Sequence, residues 1–374
     1  MILYIVVTAV TILLSYFVCQ KQALTTYGTT RRQALSWVCL IAVFNILFLL
    51  AALRGEVGND YKTYAVTFHE VWVNGYVVTE PGFNLLVKIV YTIVGHENYI
   101  AVFAVFSFAT VFLFVKTFHE DSENFFLSMF LFMTLGLYFR TFTTVRYYFI
   151  LAVALFSIRY VAQKKFMRFV VLIVAAAFFH KSVLIIIPLY LIAFYLKKKW
   201  QYAVVFAGSL AVLLGKEIVM WVALKLYPSY ENTSFLNGEG GILSNLPNIG
   251  RCLLVLFLCI CFYKEAIKEN ERNRICFNLN IMAVLLYICG YYLPLLSRFS
   301  YYLMVPHLLL VPAVITKIPD EKKKKWITAV ALGIGMIYFL YFLKTASNEA
   351  IRVLPYKTWI IDGMKEYLYA NEVH

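Results

Sequence analysis

The chain is poor in charge, proline and glycine. Charged residues make up 14% of its 374 residues, and it holds only 9 prolines and 17 glycines. Soluble domains have about 25% charged residues, and disordered chains are rich in polar residues and proline. With 62% hydrophobic residues, this composition excludes an ordinary soluble protein and a disordered one.

Motifs for metal or nucleotide chemistry are missing as well. The seven cysteines form no C-x-x-C pair, and the sequence has no H-E-x-x-H and no glycine-rich nucleotide loop. Zinc sites and cytosolic nucleotide-sugar enzymes usually carry such motifs. We therefore expect no cofactor and no metal, and we expect the cysteines to pack in apolar surroundings.

Most of the sequence consists of long continuous apolar runs. Such runs predict membrane-spanning helices rather than the alternating segments of a barrel. The sequence therefore predicts an all-α polytopic membrane protein with about twelve transmembrane helices. The predicted spans are 2–19, 35–53, 98–115, 125–139, 147–162, 166–180, 183–196, 200–215, 251–263, 275–296, 299–316 and 326–343.

The basic residues predict the orientation of these spans. The net charge of +14 comes mostly from clusters in short loops on one side, and the positive-inside rule makes that side cytoplasmic. This explains the charge without nucleic acid. The stretch 1–18 lacks a basic n-region and a small-residue cleavage site, so it is interpreted as a first span.

The segment 163–196 allows two topologies. It is interpreted as two short spans that turn at His180, Lys181 and Ser182, which keeps the lysines at 197–199 on the cytoplasmic side. The alternative is one span, which would invert every later loop and place Lys181 in the middle of the membrane.

With the split, the chain is one integral membrane domain over 1–374, with external segments 54–97, 216–250 and 344–374. Within them, 83–94 and 359–369 are too short or too polar to span and are predicted to lie at the interface. Residues 225–248 are rich in Gly, Asn, Ser and Pro and are predicted to form a loop.

Several polar side chains fall singly at the outer ends of helices. Arginine stays charged and binds phosphate oxygens bidentately, so Arg140, Arg146 and Arg298 suit a lipid pyrophosphate. Their alternatives are snorkelling to headgroups or pairing with Asp60 and Glu80. The predicted substrate-binding residues are Arg54, Tyr61, Tyr64, Arg140, Arg146, Lys181, Arg298, Tyr301 and Tyr302.

The candidate catalytic residues are His180, Asp60 and Glu80. An imidazole can act as a general base near neutral pH, so His180 is placed first. Each candidate also has a structural interpretation: His180 as a helix-end polar residue, Asp60 as part of a surface turn, and Glu80 as a helix cap.

These residues lie in stretches that resemble one family of bacterial proteins. The stretches are R-G-E-V-G-N-D-Y-K-T-Y at 54–64, E-P-G-F-N-L-L at 80–86, V-R-Y-Y-F-I-L-A at 145–152, F-F-H-K-S-V-L-I-I-I-P at 178–188 and S-R-F-S-Y-Y at 297–302. In order and spacing they resemble the EpsG family of exopolysaccharide proteins, which is related to the Wzy-type polysaccharide polymerases.

The resemblance implies a GT-C-like helical fold and a membrane glycosyltransferase. Its substrate would be undecaprenyl-pyrophosphate-linked oligosaccharide, polymerised into exopolysaccharide, capsule or O-antigen at the outer face of the bacterial cytoplasmic membrane. Its partners would be the lipid bilayer and a chain-length regulator. Two other classes stay open: a flippase or transporter of lipid-linked glycan, and a membrane O-acyltransferase of surface sugars.

Overall fold

The computed structural model describes residues 1–19, 31–226, 242–290 and 294–362. Their regular secondary structure is all helical, apart from one isolated bridge between Arg54 and Thr358. The helices are α1 Ile2–Tyr16, α2 Arg31–Ala52, α3 Tyr61–Trp72, α4 Pro81–Val94, α5 Tyr99–Asp121, α6 Phe125–Thr134, α7 Leu137–Arg140, α8 Val145–Ala162, α9 Phe166–Ala177, α10 Ile186–Tyr195, α11 Lys199–Leu214, α12 Lys216–Leu226, α13 Ile242–Cys261, α14 Glu271–Cys289, α15 Pro294–Met304, α16 His307–Thr316, α17 Glu321–Thr345 and α18 Trp359–Asp362.

Within the described ranges, five helical segments are long and apolar enough to cross a membrane. They are Arg31–Ala52, Tyr99–Asp121, Val145–Ala162, Phe299–Thr316 and Glu321–Thr345. An all-helical chain with several such segments is consistent with a polytopic membrane protein. The bilayer core offers no hydrogen-bond partners, and a helix pairs its own backbone N–H and C=O groups. The number of twelve spans stays a prediction.

Some predicted boundaries differ from the structure. The predicted span 125–139 divides into α6 and α7 at Gly136, and the predicted span 299–316 includes a break at Pro306. The predicted loop 225–248 is wrong over residues 242–248, which are the first turns of α13. There the apolar run that follows overrides the local turn composition. The loop prediction is also wrong at residues 225–226, which end α12. Residues 227–241, and the end of the predicted interfacial stretch 359–369, lie outside the described residues.

Helices α9 and α10 form an antiparallel hairpin. The rings of Phe166 at the start of α9 and Phe194 near the end of α10 lie 5.1 Å apart, and Phe169 stacks on Tyr190 at 5.9 Å. This confirms the predicted turn near His180. At 1.5 Å per residue each helix is about 15–18 Å long, shorter than the roughly 30 Å bilayer core. A hairpin returns the chain to the side from which α9 starts, whether it crosses the bilayer or only enters it. The orientation of the later loops stays a prediction.

The described helices group into two compact units. The first contains Met1–Phe156, Val171–Val183 and Glu321–His374, and the second contains Ser157–Val170 and Leu184–Asp320. The prediction of one membrane domain over 1–374 stays a prediction.

In the first unit, the segment 351–358 pairs with the loop that follows α2. The N–H groups of Gly55, Gly58 and Asn59 donate to the carbonyls of Lys357, Arg352 and Ile351 at 2.9, 2.8 and 3.1 Å. These bonds supply partners for loop N–H groups that would otherwise be buried without one. The segment 351–358 therefore fixes the shape of the R-G-E-V-G-N-D loop.

Gly58→Ala is expected to lower the free energy of unfolding by about 3 kcal/mol. Gly58 has φ +105°, and an added Cβ would lie 2.2 Å from the carbonyl oxygen of Phe142. The matched control is Gly95→Ala, with φ +82° and nothing within 4 Å of the added Cβ, for which about 1 kcal/mol is expected. Thermal unfolding of the detergent-solubilised variants measures both. Equal shifts in Tm would contradict this role of Gly58.

In the second unit, α14 carries polar side chains that join neighbouring helices. The Asn278 amide donates to the carbonyls of Ala193 and Leu196 at 2.7 and 2.9 Å, and its oxygen accepts from the Tyr202 hydroxyl at 2.8 Å. Interhelical hydrogen bonds of this kind are a common means of association between membrane helices. Asn278 therefore fixes how α10 and α11 meet.

Candidate functional site

Glu80 and Arg146 form a partly buried ion pair in the first unit. The Arg146 Nη1 donates to Glu80 Oε2 at 2.5 Å, and the two side chains are 19% and 15% exposed. The guanidinium also lies over the rings of Phe83 and Tyr64, at 4.7 and 5.7 Å from their centroids. The sequence left open whether Arg146 extends to lipid headgroups or pairs with a carboxylate, and the structure shows that it pairs with Glu80.

Glu80 is positioned by a close contact between the backbone of the E-P-G-F stretch and the backbone at Phe178. The N–H groups of Gly82 and Phe83, in the first turn of α4, donate to the carbonyl oxygen of Phe178 at 2.9 and 3.3 Å. A Cβ on Gly82 would lie 2.8 Å from that oxygen, so only glycine fits. Glu80 occupies the N-cap position, but its side chain makes no capping hydrogen bond, so it is free to bond across to α8.

The same contact brings the F-F-H-K stretch to Glu80. Its Oε1 accepts from the backbone N–H of Lys181 at 3.1 Å and lies 3.7 Å from His180 Nδ1. Four predicted site residues, Glu80, Arg146, His180 and Lys181, therefore meet around one carboxylate. We call these four residues the Glu80 cluster.

Tyr61 and Tyr64 lie beside this cluster but inside the aromatic core. Tyr61 stacks on Phe103 with 4.5 Å between ring centroids, and both tyrosines are buried. Burial raises the pKa of the Tyr64 hydroxyl, and the adjacent charge of Arg146 opposes that rise. Burial also raises the pKa of the Tyr61 hydroxyl, so both hydroxyls stay neutral near pH 7. Their predicted role in binding substrate stays a prediction.

Asp60 connects the R-G-E-V-G-N-D loop to α8. Its carboxylate accepts from the Thr144 hydroxyl at 2.8 Å, two residues before Arg146. Asp60 also occupies the N-cap position of α3 without a capping side-chain bond. Thr144 is a residue that sequence analysis missed, because a lone threonine before a helix carries no distinctive signal.

Arg54 is buried, at 1% exposed. Its guanidinium lies over the rings of Phe103 and Phe142 at 4.9 and 5.3 Å, and Nη1 donates to the Ala51 carbonyl and to Ser107 Oγ. Burial lowers the pKa of Arg54 from its usual value. In this structure Arg54 joins the end of α2 to α5, and its predicted role in binding substrate stays a prediction.

The remaining predicted residues are not part of the Glu80 cluster as the structure describes it. Arg140 ends the short helix α7, where its carbonyl accepts from the Thr143 hydroxyl at 2.6 Å. Tyr301 and Tyr302 belong to the second unit, and the Tyr302 carbonyl accepts from the Tyr190 hydroxyl at 3.0 Å. The side chain of Arg298 lies outside the described residues.

The comparisons with known proteins agree with the resemblance in the sequence. The family model described as the EpsG family matches residues 37–358. The match covers the Glu80 cluster, and it also includes the segment 351–358 that shapes the loop after α2. No curated protein and no solved structure matches the chain.

Proposed function

Because the chain belongs to the EpsG family, a Wzy-like family of polysaccharide polymerases, we propose that it joins lipid-linked oligosaccharide units into bacterial surface polysaccharide. The substrate would be carried on undecaprenyl pyrophosphate, and the product would be exopolysaccharide, capsule or O-antigen. The reaction would occur at the outer face of the cytoplasmic membrane, within a GT-C-like bundle of about twelve spans. A chain-length regulator is the proposed protein partner.

The proposed reaction is a glycosyl transfer without an external energy source. The non-reducing-end hydroxyl of one lipid-linked unit attacks the anomeric carbon of a growing chain held on undecaprenyl pyrophosphate. A new glycosidic C–O bond forms while the bond from that carbon to the pyrophosphate oxygen breaks. Undecaprenyl pyrophosphate leaves with the electron pair, and the hydroxyl proton passes to a base.

The observation that carries this proposal is the Glu80 cluster, where a fixed cation, a carboxylate and an imidazole meet. Arg146 would neutralise the pyrophosphate as it leaves, an electrostatic role worth several kcal/mol in a water-poor site. Lys181, exposed next to it, would add a second positive charge. The pyrophosphate would compete with Glu80 for the Arg146 guanidinium.

His180 is the proposed base. Glu80 already accepts hydrogen bonds from Arg146 and from the Lys181 N–H, so both of its oxygens are engaged within the cluster. Its negative charge 3.7 Å from His180 Nδ1 would instead stabilise the imidazolium that forms. Asp60 is the second candidate, followed by Glu80.

The other predicted residues have supporting roles in the proposal. Arg54 and Arg140 would contribute further positive charge toward the pyrophosphate, and the substrate-binding role of Arg298 stays a prediction from the sequence. Tyr61, Tyr64, Tyr301 and Tyr302 would contact sugar or lipid.

Incubation of the purified protein with a defined undecaprenyl-pyrophosphate oligosaccharide tests the function. We expect a ladder of products that differ by one repeat unit, read by gel or mass spectrometry, with no added donor. A protein that moves the lipid across vesicles without lengthening it would be a flippase. Products that gain an acyl mass only when an acyl donor is present would identify an O-acyltransferase.

A further inference from the structure

An apolar groove of about 390 Å³ lies between α10 and α11 in the second unit. Leu191 and Tyr195 belong to one wall, and Trp200 and Val204 belong to the other. Its volume falls in the range of ligand pockets, about 300–1,000 Å³. Walls of this kind suit a hydrocarbon chain rather than a sugar.

Three consecutive lysines, Lys197, Lys198 and Lys199, connect the two helices at one end of the groove. All three side chains are exposed. The backbone N–H groups of Lys197 and Lys198 both donate to Gln201 Oε1 at 2.8 Å, and Gln201 itself lines the groove. The hydrogen bonds of this turn therefore hold the lysines at the groove.

Among the described residues, only one of these three lysines lies near a carboxylate. Lys197 lies 3.6 Å from Glu271, which also pairs with Arg274 at 2.5 Å. No carboxylate lies within 4 Å of the Lys198 or Lys199 ammonium in the described part of the chain. A lysine ammonium at a membrane surface attracts the phosphate of anionic lipids.

Two aromatic rings mark this end of the groove as a membrane interface. Tyr195 and Trp200 line the groove and are 58% and 62% exposed. Tyrosine and tryptophan concentrate at the level of lipid headgroups, where the ring is buried in hydrocarbon and the polar atom meets water. Along the groove, the apolar walls are followed by the aromatic rings and then by the lysines. This order matches a lipid molecule from its acyl chain to its headgroup.

We propose that this groove binds one anionic phospholipid of the surrounding bilayer, with an acyl chain between α10 and α11 and the phosphate at Lys198 and Lys199. A second copy of the chain is a poorer occupant. A two-fold symmetric contact at this face would bring the two lysine runs toward each other.

Native mass spectrometry of the full chain in detergent tests the proposal, with phosphatidylglycerol and phosphatidylcholine of identical acyl chains as probes. We expect one phosphatidylglycerol to be retained in preference to phosphatidylcholine. The double substitution Lys198→Gln and Lys199→Gln should weaken phosphatidylglycerol binding about 25-fold, at roughly fivefold for each lysine. Val204→Trp, which fills the groove from an exposed position, should remove binding of both lipids.

The matched control is the double substitution Lys322→Gln and Lys323→Gln, which removes the same charge at the start of α17. Retention of phosphatidylglycerol by this control, with loss in the groove variants, supports the site. Equal loss in the control would mean that any lysine run attracts the lipid. Retention by Val204→Trp, equal binding of the two lipids, or a lipid-insensitive dimer that Val204→Trp dissociates would overturn the proposal.

Discussion

Replacing Arg146 by alanine is expected to abolish long polymer in cells that lack the native gene, while single lipid-linked units accumulate. The guanidinium is held by Glu80 and by the rings of Phe83 and Tyr64, so it is already oriented toward one site. Loss of a preorganised charge that meets a developing negative charge costs about 10²–10³ in turnover. Chain length is read on gels, and lipid-linked intermediates by mass spectrometry.

Two further variants separate charge from structure at Arg146. Arg146→Lys keeps the charge but loses the planar fork and its stacking on Phe83, so an intermediate amount of short polymer is expected. Arg168→Ala removes an exposed arginine from α9 and should leave chain length unchanged. If Arg146→Ala protein reaches the membrane in normal amount and makes polymer of normal length, Arg146 does not serve the leaving group.

Replacing His180 by alanine is expected to lower turnover of the purified protein by about 10²–10⁴, the usual range for loss of a general base. The change in KM should be small, because binding of the pyrophosphate is assigned to Arg146 and Lys181. Product formation under saturating substrate measures turnover directly.

The comparison that decides the base is His180→Ala against Asp60→Asn. Asp60 accepts from Thr144 and is expected to affect turnover less than His180. The control is His96→Ala, an exposed histidine after α4, for which no change is expected. A larger loss for Asp60→Asn than for His180→Ala would transfer the role of base to Asp60.

The positions of the helices along the chain were largely predictable. Apolar runs long enough for helices leave few alternatives to an all-helical membrane protein, and described helices overlap all twelve predicted spans. The turn at His180 followed from the distribution of basic residues, and the ring contacts between α9 and α10 confirm it. Helix breaks at Gly136 and Pro306 were missed because continuous hydropathy hides them.

The candidate site was predictable only as a set of separate residues. Glu80, Arg146, His180 and Lys181 each stood out as polar groups at the ends of apolar runs, where a charge is costly unless it has a function or a partner. Their neighbours gave no such signal. Tyr61 and Tyr64 were predicted to bind substrate, and only the structure shows that helix α3 packs their rings into the aromatic core; their binding role stays a prediction.

The sequence by itself determined the helical class, the family and the four residues of the Glu80 cluster, because these depend on composition and on the order of motifs along the chain. Only the tertiary structure decided that Glu80 meets Arg146, 66 positions away, and the Lys181 N–H, 101 positions away. It also decided that residues 351–358 shape the loop at 54–59. Such contacts depend on how helices far apart in the sequence pack together. Apolar periodicity shows which face of a helix turns toward a core, but it does not show which other helix that face contacts.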